Sequence, residues 1–194
     1  MHVVKRFPSG EHGQLVSRVF DEALVSSGVK LNYNSIELEL RDRDVSLVKD
    51  YTATICLDYN NPLVLDMDEK GIGIIIRREL FRLMFKFNLP RPVEDVIIGR
   101  ELVKRGFGDD LLYMYYNIVM RSMPKNISDY IAVNIPWIIF RGYDDYNSDL
   151  MKKLAGKVCS KKFPETKKLF DMLCNLSQKN MTAAGKEYEM ISCR

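Results

Sequence analysis

Histidine is nearly missing from this chain. Its 194 residues hold only two, His2 and His12, both expected in or near a mobile start. A metal centre built on three imidazoles is therefore excluded. Cysteine is scarce and scattered: Cys56, Cys159, Cys174 and Cys193 contain no Cys-x-x-Cys pair, so neither a zinc knuckle nor a disulfide framework is indicated. No apolar run reaches the length of a membrane span; the longest lie in residues 71–76 and 131–140. The opening, MHVVKRFPSGEHG, lacks the apolar stretch of a signal peptide. A cytoplasmic location without membrane association is expected. Serine, histidine and aspartate do not gather as a triad, and there is no glycine-rich phosphate loop. Internal repeats and low-complexity tracts are missing too.

What is present suits a globular chain with a sizeable core, since 46% of the residues are hydrophobic and 28% charged. The net charge of +3 conceals an asymmetry. Residues 151–194 hold ten Lys/Arg against four Asp/Glu, whereas residues 1–150 hold nineteen against twenty-two. The C-terminal quarter is basic and the body slightly acidic. The isoleucine, lysine and arginine usage is archaeal-like.

Periodicity divides the chain into an α+β first part and a helical remainder. Residues 14–26 carry Leu15, Val16, Val19, Phe20, Ala23 and Leu24 at helical spacing, and Gly28 closes that helix. In residues 35–41, SIELELR, apolar and charged residues alternate as in a half-buried strand. Residues 45–50 predict a short strand, residues 51–59 a longer one, and residues 62–66, which begin with proline, an edge strand. From residue 70 onward the pattern is helical. Helices are expected over 93–105, stopped by Gly106, and over about 110–123, capped by Asp109 or Asp110. Another starts at Ser128 or Asp129 and is bent or broken near Pro136. Two or three more short ones fill 149–188. Trp137 is expected in the core.

The stretch Gly71–Leu89, GIGIIIRRELFRLMFKFNL, predicts one long helix that is apolar in most directions. At 100° per residue, Arg78, Glu79, Arg82 and Lys86 fall within one arc of about 100°. A mostly buried helix with such a strip must face something specific. Arg78-Glu79-Leu80-Phe81-Arg82 places two identical residues at i and i+4 with a glutamate beside the first.

With histidine at 78 and 82 this would read H-E-L-F-H, so the stretch resembles the zinc-binding helix of the zincin metallopeptidases, of a minimal gluzincin type. The resemblance covers roughly residues 10–125. It implies an α+β, zincin-like fold: a small N-terminal mixed sheet with an N-terminal helix, then a mostly helical remainder. The domain expectation is a zincin-like domain over 1–148 and a basic helical appendage over 149–194. It also implies a lost metal site, because arginine is always cationic and has no lone pair to offer. Glu79 would be vestigial, with no metal-bound water to activate. No metal and no cofactor are then expected.

The third ligand of such a site would come from 93–105. There Asp95 falls on the apolar face and Gly99 permits close helix approach, while Glu94 lies on the polar side. Both acids also suit the helix N-terminus. The expected binding cluster is Arg78, Glu79, Arg82, Glu94 and Asp95, with Arg78 or Arg82 paired to Glu94 or Asp95 in place of the metal. The favoured reading is a pseudo-metallopeptidase that binds or scaffolds an unknown protein or peptide. Two alternatives stay open. One is an active hydrolase with an unrecognised metal site. The other is a nucleic-acid-binding helical module, less favoured, that uses Lys161-Lys162 and Lys167-Lys168 with Phe163 and Phe170.

Overall fold

The computed structural model describes residues 2–6, 10–42, 45–121, 124–141, 143 and 163–192. The chain divides after Lys86 into two compact units, Met1–Lys86 and Phe87–Arg194. The boundary expected at residue 148 lies outside the described residues.

The first unit is a four-stranded mixed sheet with helices. Its strands are β1 (His2–Arg6), β2 (Ser35–Arg41), β3 (Val45–Lys49) and β4 (Thr52–Asp58), in the order β1-β2-β4-β3. The pairs β1·β2 and β2·β4 are parallel, and β3 runs antiparallel on the edge. Between β1 and β2 the chain forms α1 (Glu11–Ser26), which supplies the crossover that two parallel neighbours require. The register sets Ile36 beside Ala53, Leu38 beside Ile55 and Leu40 beside Leu57. Because side chains alternate along a strand, these residues share one face. On that face Lys5, the partner of Leu38, reaches Asp21 of α1 at 2.7 Å. Val16, Val19 and Phe20 of α1 are buried, as are Ile72, Ile74 and Ile76 of α3 (Glu69–Phe85). Each such side chain contributes about 1.5–3 kcal/mol through removal from water. On the opposite face Ser35 and Thr52 pair through their hydroxyls at 3.0 Å.

Three expectations need correction in this unit. His2 and His12 do not belong to a loose start, since the first lies in strand β1 and the second in α1. A five-residue parallel edge strand has almost no signal of its own; its partner β2 specifies it. Residues 62–66 are not an edge strand. They form the short helix α2 (Pro62–Leu65), because Asn61 accepts a hydrogen bond from the Leu63 amide at 3.0 Å and Pro62 takes the first helical position. The residues expected to end one strand and start the next, Asp50 and Tyr51, instead make the β3–β4 turn. Both have positive φ, 48° and 62°, as a two-residue type I′ turn requires.

Among the described residues of the second unit, the regular structure is helical. Its helices are α4 (Arg91–Lys104), α5 (Gly108–Arg121), α6 (Ile127–Phe140), α7 (Lys167–Cys174) and α8 (Met181–Ser192), with a 3₁₀ turn at Pro164–Thr166. Asn126 caps α6 by accepting from the Asp129 amide at 2.8 Å. This helix runs unbroken through Pro136, and Trp137 is 47% exposed rather than in the core. α4 and α6 cross closely at Gly99: a Cβ there would lie 2.3 Å from Ile139 Cδ1, so no larger residue fits without displacing the Ile139 side chain. Arg100 ties the bundle, donating to the carbonyls of Leu173 and Cys174 at 3.1 and 2.9 Å. No described helix is long and apolar enough to cross a membrane.

Candidate functional site

The candidate site rests on α3, and local chemistry fixes where that helix begins and ends. Asp68 caps it, accepting from the Gly71 amide at 2.8 Å, and Glu69 places negative charge in the first turn. Gly71 lets Leu63 pack against the helix backbone, since a Cβ would sit 2.8 Å from the Leu63 side chain. At the other end the helix stops at Phe85, and Lys86 adopts the left-handed conformation with φ 51°. Residues 87–89, expected to continue the helix, lie beyond it. Lys86 therefore leaves the charged strip; its Nζ stands 5.2 Å from the centroid of the Tyr33 ring. The Tyr33 hydroxyl donates to the Leu83 carbonyl at 2.9 Å, which satisfies an acceptor in the last helical turn. Burial raises the Tyr33 pKa above its ordinary value.

The other three members of the strip are inside the protein. Glu79 is fully buried and Arg78 is 8% exposed. The Arg82 side chain is 10% exposed, and its Nη1 donates to Glu79 Oε1 three residues back. A guanidinium against a carboxylate in this low-dielectric setting is a charge-assisted bond, stronger than a neutral one. The triplet can hold carboxylates by forked hydrogen bonding; its arginines cannot ligate a metal.

On α4 the burial of the two acids is the reverse of that expected from the wheel. Glu94 is the buried carboxylate at 7% exposure, and Asp95 is half-buried. Glu94 lies in the first turn, where its Oε1 is 3.5 Å from the Leu89 amide. The chain entering the helix covers it, an effect outside any face pattern. Of the residues expected to pair, Arg78 and Arg82 belong to the first unit and Glu94 and Asp95 to the second.

Among the described residues no three His, Cys, Asp or Glu side chains gather as metal ligands. At the basic end, residues 163–192 hold four lysines and four acids. The lysine excess thus falls on residues 152–162, outside the described ones. Lys168 is paired to Glu187 at 2.5 Å. Phe163 and Phe170 pack on Tyr130 with ring centroids 5.2 and 5.7 Å away. Both side chains are half-buried and their rings are engaged with Tyr130, which weighs against their use as base-stacking platforms. Comparisons with protein-family models, with curated proteins and with solved structures find no match.

Proposed function

We propose that this chain is a non-catalytic, zincin-like protein with a binding or scaffolding role. In this reading Arg78 and Arg82 stand where the family carries its two histidines, and charge pairing replaces the metal. The observation that carries it is the Arg82–Glu79 ion pair, whose glutamate is fully buried among the mostly apolar buried residues of α3. The glutamate that would work on a metal-bound water is here committed to a guanidinium, and two buried cations one turn apart repel a divalent ion. With Glu79 offsetting one of the two guanidinium charges, the strip keeps a net positive charge that suits a carboxylate, either a peptide terminus or an acidic side chain of a partner protein.

Elemental analysis of the purified chain tests this directly. The expected result is no stoichiometric zinc, together with no peptidase activity. About one zinc per chain, lost in Glu79→Gln or Asp95→Asn, would overturn the proposal and favour an active hydrolase. The double variant Arg78→His with Arg82→His probes descent from a metal site. Zinc uptake by that variant, read by calorimetric titration, is the outcome the reading expects.

A further inference from the structure

We draw no further inference here: the strongest candidate, the N-terminal turn of α1 beside the buried Nε2 of His12, is a helix N-terminus entered from residues 7–9, which lie outside the described residues, and no second observation names a ligand for it.

Discussion

Replacing Arg82 by methionine removes the guanidinium from a carboxylate that water does not reach. The Glu79 side chain is 0% exposed and that of Arg82 10% exposed, so solvent screening does little to soften the loss. Breaking a buried pair from one side costs about 3–5 kcal/mol, because one charge is left behind in low dielectric. Arg78, one residue before Glu79, keeps part of the positive potential in place, so the lower end, about 3 kcal/mol, is expected. Glu79→Gln keeps the shape but leaves the Arg82 guanidinium facing a neutral amide, so about 3 kcal/mol is expected here too. The double variant should lose less than the sum, leaving a coupling energy of about 1–3 kcal/mol. Urea unfolding followed by far-UV circular dichroism measures all four stabilities. The fluorescence of the single tryptophan, Trp137, reports separately on the second unit, so the two transitions show whether the loss is confined to the first. A coupling energy below about 0.5 kcal/mol, the additivity expected of independent sites, would refute the pair and with it the main support for the proposed function.

Further cycles, between Arg78→Met or Arg82→Met and either Glu94→Gln or Asp95→Asn, are expected to give a coupling above about 0.5 kcal/mol for at least one pairing; additivity in all four removes the pairing proposed with an acid of α4. Tyr51→Gly should stabilise the chain by about 0.5–1 kcal/mol in urea titrations, because it relieves a left-handed tyrosine at a turn while the lost side chain was 72% exposed. Tyr33 has a raised pKa through burial, so the folded state holds the phenolic proton more tightly than the unfolded one. That stability is fully present below the unfolded pKa of about 10 and is lost as pH rises through the folded value. Tyr33→Phe should flatten this alkaline decline and cost about 1 kcal/mol at neutral pH for the bond to Leu83, both read from unfolding curves across pH.

Elements with a strong local signal were legible in the sequence. The alternation in SIELELR gave β2 its limits, and Gly28 and Gly106 closed their helices with positive φ, as left-handed caps do. Elements specified from elsewhere were not. β1 exists through its pairing with β2, and the Asp50-Tyr51 turn lacks the Asn-Gly or Asp-Gly signature of its type. α2 was misread because proline suits both an edge strand and a first helical turn; the Asn61 cap decides between them. The wheel correctly grouped Arg78, Glu79 and Arg82, since helix geometry alone fixes their directions. It failed for Lys86, Glu94 and Asp95, which lie at or near helix ends, where the entering or leaving chain sets burial.

The energetics of that triplet constrain its meaning. A buried ion pair replaced by well-packed apolar residues is often neutral or more stable by about 1–4 kcal/mol. Ile72, Ile74, Ile76, Leu80 and Phe81 are fully buried on the same helix, so an apolar occupant at 79 and 82 would suit its surroundings. Folding stability alone therefore gives no reason for two arginines and a glutamate in this position. The proposed function supplies one: under it the pair holds the Arg82 guanidinium in a set orientation, and carboxylate recognition depends on such preorganised charges. This is why the cycle at Glu79 and Arg82 and the zinc measurement belong together. The first tests whether the charges are coupled, and the second whether that coupling stands in place of a metal.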